Sequence, residues 1–350
     1  MSNFLVSSLS LTGAPRATIS RVQQELTIAQ TEVATGRFAD VGKNLGISVG
    51  RTITMRAELS NMEKLTTNNK AVAQRFETMQ AVMGTIADTG ESLLATLISG
   101  SNTDAGSRTN QRSATANIGQ IVSGLNGYFG SRYLFSGAKT DTTPMKTALV
   151  DDFASSAAST AVDTAWTNYV NANAGGDSSL LTPAQMEDFL TNDFDALFQT
   201  PNWEANWSDA SDNQATSRIG ENDFIQSSLS ANDESFRNII KSYVMLSKFS
   251  GENLDLETRQ VLTSTSIETL SNGLAELTDL RSEIGLLEER VSMANEGLKT
   301  QSAVLEIAIG KEEEVDVYEA KIRIDSLMNT LEMSYSLTAR ISRMSLLNFL

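Results

Sequence analysis

Apolar residues recur at alternating steps of three and four near both ends of the chain. The first such run covers residues 19–33, and a second covers residues 62–97. This spacing places the apolar side chains on one face of a helix, as in the seam of a coiled coil, so both runs are predicted to be helical. Their seam positions are Ile19, Val22, Leu26, Ala29 and Val33 in the first run and Met62, Leu65, Asn69, Val72, Phe76, Met79, Met83, Ile86, Gly90, Leu93 and Leu97 in the second.

The residues between these runs, 37–58, are less regular, and "DVGKNLG" within them is predicted to be a loop. It is not a phosphate-binding loop, because five residues separate Gly36 from Gly42 and Asn44 stands where Ser or Thr is required. After a turn at residues 99–107, a third helix is predicted. Its seam is Ala114, Ile118, Ile121, Leu125 and Tyr128.

Helical patterns return in the C-terminal part of the chain. "NDESFRNIIKSYVMLSKF" predicts a helix capped by Asn232 or Asp233. A long seam follows, and Gly310 with the cluster "KEEEVD" is expected to interrupt it before the last helix. The seam is Ile284, Leu287, Val291, Ala294, Leu298, Gln301, Leu305 and Ala308; the last helix uses Val317, Ala320, Ile324, Leu327 and Leu331, then Leu337, Ile341 and Met344 in a shifted register.

The segment between these helical regions is rich in Ala, Ser, Thr, Asn and Asp, and it contains all three tryptophans. Thr182 followed by Pro183 predicts the start of a short helix. The stretch around Gly220 predicts a hairpin within residues 214–230. Together with several spaced phenylalanines, these features predict a compact domain of mixed α/β structure.

The predicted fold class is therefore mainly α. It is a long, coiled-coil-like helical rod formed by both the N- and C-terminal regions, with a small inserted mixed α/β domain. The expected domains are a terminal helix (1–40), the N-terminal half of a helical core (41–140), the insert (141–232), the C-terminal half of the core (233–312) and a second terminal helix (313–350).

The charge of the chain is unevenly distributed. The formal net charge is −16, and residues 141–235 contain 16 acidic against 2 basic residues. Such a surface disfavours nucleic acid and anionic membranes as partners. No segment reaches the roughly 18–20 apolar residues that a membrane-spanning helix needs, and no secretory signal is recognisable. We therefore expect no nucleic-acid partner and no membrane insertion.

The composition removes most catalytic chemistry. The chain has no cysteine and no histidine, so the usual nucleophilic triads are impossible and the commonest metal ligands are missing. The adjacent carboxylates at 151–152 and 312–314 are expected to face water rather than a cleft. Trp203 and Trp207 could form a platform for carbohydrate, but core packing is the favoured interpretation. We predict no enzyme activity, catalytic residue, cofactor or metal.

Both ends of the chain are apolar and lack acidic residues, since none occurs within 1–24 or 333–350. In a lone subunit such ends have few partners to offset their ordering entropy, so we predict disorder or weak helicity there until neighbouring copies cover them. The expected assembly interface consists of Phe4, Leu5, Leu9, Leu11, Ile19, Val22, Leu26, Leu331, Leu337, Ile341, Met344, Leu346, Leu347, Phe349 and Leu350.

Two motifs resemble the flagellin-like family of bacterial flagellar axial proteins. "NGYFGSRYLFSGAKTDTTPM" (126–145) is similar to the sequence that closes the N-terminal half in the family, and "LRSEIGLLEERV" (280–291) is similar to its C-terminal helix. The loop "GRFADVGKNLG" departs from the family by having the single Asp40 where a pair is frequent. The matching positions are Gly130, Arg132, Tyr133, Leu134, Phe135, Gly137, Asp141 and Pro144, with Leu280, Arg281, Gly285 and Arg290 in the second motif.

The resemblance implies a structural subunit of the flagellum, extracellular and exported without a cleaved signal through the type III flagellar apparatus. The first motif and the ending "SRMSLLNFL" favour a subunit that self-assembles into a ring at the junction between hook and filament. Its implied partners are a neighbouring hook-associated junction protein, flagellin and an export chaperone. The terminal helices would pair in the inner tube and the insert would project outward.

Three alternatives remain open at this stage. A flagellin, the filament subunit, would share the fold but would polymerise indefinitely under high salt. A helical signalling or partner-binding module would need an input domain or membrane anchor, and none is recognisable. A glycan hydrolase carried by the insert would need paired carboxylates across a cleft, which an activity screen on polysaccharides would reveal.

Overall fold

The computed structural model describes residues 8–99 and 104–347, and it confirms the mainly α class. Two two-stranded antiparallel sheets accompany the helices. Short 3₁₀ helices occur at Gly46–Ser48, Phe153–Ser155, Ser178–Leu180 and Asp195–Phe198. The elements are α1 (Ser8–Thr35), α2 (Val41–Leu45), α3 (Val49–Ser99), α4 (Asp104–Leu125), β1 (Tyr128–Phe129), β2 (Arg132–Tyr133), α5 (Ala148–Asp151), α6 (Ala157–Ala174), α7 (Pro183–Thr191), α8 (Asn202–Asn206), β3 (Thr216–Arg218), β4 (Phe224–Gln226), α9 (Glu234–Phe249), α10 (Leu256–Glu313) and α11 (Val317–Leu347).

The long seam of α3 is confirmed. Of its eleven predicted positions, the nine from Asn69 to Leu97 are buried, while Met62 and Leu65 are half-buried. A stripe of this width on one helix requires neighbouring helices to cover it. The helix itself is longer than predicted, because it begins at Val49.

Several sequence-based boundaries are wrong, and among them the turn predicted at residues 99–107 ends early, because helix α4 begins at Asp104. The α2 helix interrupts the predicted loop, with the Asp40 carboxylate accepting a hydrogen bond from the Lys43 amide at 3.0 Å. Tyr128 lies in strand β1 and is exposed, rather than at the end of the third helical seam. Helix α10 continues through Gly310 to Glu313, because one glycine costs only about 1 kcal/mol in a helix that neighbours support.

The chain divides into two compact units. We call Met1–Lys64 with Leu298–Leu350 the terminal unit, and Leu65–Gly297 the central unit. Helices α3 and α10 each contribute residues to both units. The units are described separately below.

One continuous hydrophobic core organises the central unit. It includes the seams of α3, α4 and α10, the face of α9, and the aromatic residues of segment 141–232. Trp166, Phe189, Phe194 and Phe249 form a chain of ring contacts with centroids 4.7–6.0 Å apart. The aromatic residues of the acidic segment therefore pack directly with α9, in a core that this segment does not form alone.

Two local predictions for the central segment are confirmed. Helix α7 begins with a capping box, in which the Thr182 hydroxyl accepts from the Gln185 amide and the Gln185 side chain accepts from the Thr182 amide. Strands β3 and β4 form the predicted antiparallel hairpin, with Ser217 opposite Ile225. Asp233 is the N-cap of α9, one of the two residues expected there.

The terminal unit consists of two antiparallel helix pairs with short connections. Helices α1 and α11 form one pair, and the beginning of α3 with the end of α10 forms the other. Few of the apolar side chains that the structure describes in this unit are buried. They are Val22, Ala29, Met55, Leu298, Ile309, Val315 and Ala320.

Candidate assembly interface

Helices α1 and α11 pack against each other along their apolar stripes. Val22 and Ala29 of α1 are buried, and Leu26 is half-buried. The Gln23 side chain donates a hydrogen bond to the Tyr335 hydroxyl at 3.0 Å, and Glu32 pairs with Arg323 at 3.5 Å. These two contacts show that the helices run antiparallel, since increasing numbers in α1 meet decreasing numbers in α11.

The inward stripe of α11 changes character along the helix. Ile324, Leu327 and Leu331 are half-buried at seam spacing, but the next two half-buried positions on that face are Ser334 and Thr338. Four other large apolar residues of the same helix lie on a different, exposed face: Tyr318, Ile322, Met333 and Leu337 are between 56% and 83% exposed. At 100° per residue these four share a single face of α11. We call them the outer stripe.

A buried carboxylate holds the junction between the two helix pairs. Glu313, the last residue of α10, is 1% exposed, and both of its oxygens accept hydrogen bonds from Arg56 at 2.7 Å. Arg37 approaches the same carboxylate at 3.9 Å. A buried charge is tolerated only when it is paired in this way. The sequence-based expectation that residues 312–314 all face water is therefore wrong for Glu313.

The backbone closes the same junction. The Phe38 amide donates to the Glu313 carbonyl at 3.0 Å, and the Val315 amide donates to the Gly36 carbonyl at 3.0 Å. Nearby, the buried Glu32 accepts from the Ala39 amide at 3.3 Å in addition to its pairing with Arg323. Main-chain hydrogen bonds and ion pairs thus hold together the two segments that connect the helix pairs.

The structure describes part of the predicted assembly interface. Val22 is buried between α1 and α11, Ile19, Leu26 and Leu331 are half-buried, and Leu337 is exposed. Leu9 and Leu11 lie in α1; Ile341, Met344, Leu346 and Leu347 lie in α11. Phe4, Leu5, Phe349 and Leu350 lie outside the described residues. Contacts of these residues with other copies stay a prediction.

Sequence reasoning missed the buried charges and most of the outer stripe. Glu32 lies three residues after the seam residue Ala29, so its position beside the seam was readable from the periodicity. Glu313 had no such signal, because its partner Arg56 is 257 residues away in the chain. Tyr318, Ile322 and Met333 fell outside the predicted seam and were not recognised as a second apolar face.

The motif at residues 126–145 connects different segments of the central unit. Leu134 and Phe135 are fully buried, and Phe135 contacts Phe236 edge-on with ring centroids 5.5 Å apart. Pro144 is also buried, and its carbonyl accepts from the Asp209 amide at 2.8 Å. The motif therefore binds segment 141–232 to the helices. Arg132 and Asp141, by contrast, are exposed.

Gly137 in this motif is required by its surroundings. Its φ is +63°, and a Cβ atom there would lie 2.1 Å from the Ser211 carbonyl oxygen and 2.6 Å from that of Asn213. Its amide donates to the Leu229 carbonyl at 2.8 Å. Any side chain would separate these backbone segments.

Within residues 8–99 and 104–347, no helix is long and apolar enough to cross a membrane, and no group of three or more Asp or Glu residues is placed to hold a metal ion. Asp151 and Asp152 are both exposed, and Asp152 caps a 3₁₀ helix by accepting from the Ala154 amide at 3.1 Å. Trp203 and Trp207 are buried and stacked with centroids 5.7 Å apart, which confirms their packing role.

The pairing of α1 with α11 in the terminal unit and the packed core of the central unit define a mainly α-helical protein. Residues 6–140 match the bacterial flagellin N-terminal helical region, and residues 252–350 match the bacterial flagellin C-terminal helical region. The chain belongs to the flagellin-like family, and it is a structural protein of the bacterial flagellum.

A solved structure from Vibrio parahaemolyticus, described as a candidate flagellar hook-associated protein, has a similar fold. The TM-score is 0.53 with 11% sequence identity, and the match covers 77% of this chain and 99% of that one. No curated protein matches the chain significantly.

Proposed function

We propose that this chain forms the junction ring between the flagellar hook and filament. The observation that carries the assembly role is the outer stripe of α11, which leaves four large apolar side chains uncovered on the helix that also pairs with α1. Exposed apolar faces of this kind mark sites of protein association. The motif "RYLFSGAKTDTTP" and the ending "SRMSLLNFL" support the junction over the filament.

In this proposal the ring contacts a hook-associated junction protein on one side and flagellin on the other. The subunit reaches that place by type III export, held beforehand by a chaperone and without loss of a signal peptide. Intact N-terminal peptides in protein recovered from flagella support this route, and a processed N-terminus contradicts it.

Substitution of Ile322 by Glu tests the assembly role. Ile322 is 70% exposed, so the variant should fold with a stability change below about 0.5 kcal/mol. It should nevertheless lose self-assembly, because a charge would enter an apolar contact. Leu180→Glu is the matched control, since Leu180 is 65% exposed in the acidic segment of the central unit. Sedimentation of both variants beside the wild type makes the comparison, and equal assembly of all three contradicts the proposal.

A filament subunit is the second candidate, favoured by the two matches to flagellin helical regions. The two functions predict different phenotypes. Loss of a junction protein leaves bare hooks and releases flagellin into the medium, whereas loss of a flagellin removes the filament material itself. Purified protein that grows long filaments at high salt would replace the junction proposal with this second candidate.

A further inference from the structure

Two arginines lie together where hairpin β1–β2 meets helix α3 in the central unit. Arg75 of α3 is half-buried, and its Nη2 atom donates a hydrogen bond to the Tyr133 carbonyl at 2.9 Å. Arg132, next to Tyr133 in β2, is exposed. The Nε atom of Arg75 is buried and has no hydrogen-bond partner. Among the residues that the structure describes, neither arginine forms an ion pair.

This arrangement is electrostatically unfavourable in the free subunit. Burial lowers the pKa of the Arg75 guanidinium, and the neighbouring charge of Arg132 lowers it further. Two adjacent positive charges without a carboxylate are unexpected here, since the central unit has 30 acidic against 14 basic residues. An incoming carboxylate would relieve both the repulsion and the incomplete solvation of Arg75.

The backbone of hairpin β1–β2 has an unusual turn immediately before Arg132. The turn between β1 and β2 contains Gly130 and Ser131, both with positive φ. Ser131 is the only residue other than glycine with positive φ among those described, a conformation that residues with a side chain rarely adopt. The buried side chains of Leu134 and Phe135 follow at once and anchor the hairpin to the core. A rigid surface of this kind loses little entropy on binding.

We propose that Arg75 and Arg132 bind a carboxylate of a second copy of this chain, supplied by its acidic segment 141–235. This inference rests on the proposed function, because it specifies one contact of the assembly. Segment 141–235 contains 16 acidic residues, most of them exposed, as Glu187, Asp193 and Glu204 are. Nucleic acid and anionic lipid are disfavoured as occupants by the net charge of −16.

Repulsion between two acidic central units does not prevent this contact. At physiological ionic strength, charges more than about 8 Å apart are largely screened, whereas a direct guanidinium–carboxylate pair is screened less and weakens only as more salt is added. Repulsion elsewhere would instead restrict the approach of the acidic segment to the place where the arginines lie. The contact would thereby fix the register between neighbouring copies.

Charge reversal at Arg132 tests the inference. Arg132→Glu should weaken self-association of the full-length protein about 10- to 100-fold, because it removes one attraction and adds a repulsion. Arg112→Glu is the control, since Arg112 is an exposed arginine of the same unit and the change in net charge is identical. Sedimentation at low and high salt should show the difference mainly at low salt. Equal association of the two variants overturns the inference.

A cross-linking experiment identifies the occupant. Because the chain has no cysteine, Arg132→Cys provides a single site for a photoreactive maleimide label. Cross-links to residues 141–235 of a second copy support the inference, and cross-links confined to other segments overturn it. Arg112→Cys serves as the labelled control. Failure of the wild-type protein to associate overturns the proposed function as well, whereas normal association of Arg132→Glu overturns only this contact.

Discussion

The two compact units bury their apolar residues to very different extents. The central unit contains 51 of the 58 fully buried apolar residues among the described side chains, whereas the terminal unit contains seven. The terminal unit makes up a third of the chain but contains 11 of the 19 large apolar residues whose side chains are described as exposed. The central unit is thus a self-sufficient folded body. The terminal unit leaves much of its apolar surface uncovered, as expected for a part that other copies complete.

The two units also differ in net charge. The terminal unit has 13 acidic and 13 basic residues, while the central unit carries the entire net charge of −16. A neutral, apolar surface allows many copies to crowd together without mutual repulsion. An acidic surface keeps the remaining part of each subunit soluble and limits its contacts with other copies to places where opposite charges meet. The charge difference agrees with the proposal that the terminal unit packs against other copies.

The largest predicted effect tests the self-sufficiency of the central core. Trp203→Ala should lower the free energy of unfolding by about 3–5 kcal/mol, because it leaves a large cavity beside Trp207. It also deprives Asn232 of the indole hydrogen bond at 2.8 Å. Phe224→Ala is the control, since Phe224 is 59% exposed and should change stability by less than about 1 kcal/mol. Denaturant unfolding measures both, and a loss below 1 kcal/mol for Trp203→Ala would show that this core contributes little.

The same contrast explains how much the sequence could predict. The seam from Asn69 to Leu97 was readable because one helix face is buried along its whole length. The cap at Thr182 was readable because its partner is three residues away. Helix periodicity and local caps are short-range signals, and they specify most of this mainly α fold.

The candidate site was less predictable because its decisive contacts are long-range. The pairing of Glu313 with Arg56 depends on how the helices meet, which no local pattern encodes. Gly310 does not interrupt α10 as its low helix propensity predicts, because packing around the helix outweighs that small penalty. On the half-buried face of α11, the polar residues Ser334 and Thr338 follow Leu331. Leu337 lies on another face of the helix and is exposed, so the apolar pattern alone does not identify the buried face there.

The second prediction concerns the junction within the terminal unit. Arg56→Ala leaves the buried Glu313 carboxylate with only Arg37 at 3.9 Å, so we expect a local loss of about 2 kcal/mol. Hydrogen exchange at the Phe38 and Val315 amides measures this local loss of stability, because the backbone hydrogen bonds of these amides close the junction. A loss of 2 kcal/mol corresponds to roughly 30-fold faster exchange there.

Arg51→Ala is the control for that experiment. Arg51 is largely exposed, and its pair with Glu312 at 3.3 Å should contribute less than about 0.5 kcal/mol. Amides of α9 in the central core should exchange at the wild-type rate in both variants. If Arg56→Ala accelerates exchange in α9 as strongly as at Phe38, the two units are not separate in stability, and the comparison fails.

The smallest predicted effect is a pH dependence confined to the central unit. The Tyr169 hydroxyl donates to the Gln185 carbonyl and to the Asp188 carboxylate, both at 2.8 Å. Burial, followed by the hydrogen bond to Asp188 and the charges of Asp188 and Asp193, raises the pKa of Tyr169 from 10.0 to about 12. Because the folded pKa lies above the unfolded one, this contribution to stability is complete below pH 10.0 and is lost as the pH rises to about 12. Alkaline titration of the tyrosinate absorbance should therefore show a step near pH 12 that Tyr169→Phe removes, whereas the buried Tyr243, whose pKa is raised further by burial, titrates later. Tyr318→Phe, on the exposed outer stripe of the terminal unit, should leave that step in place. Disappearance of the step in the Tyr318 variant would mean that the late titration does not belong to the central unit.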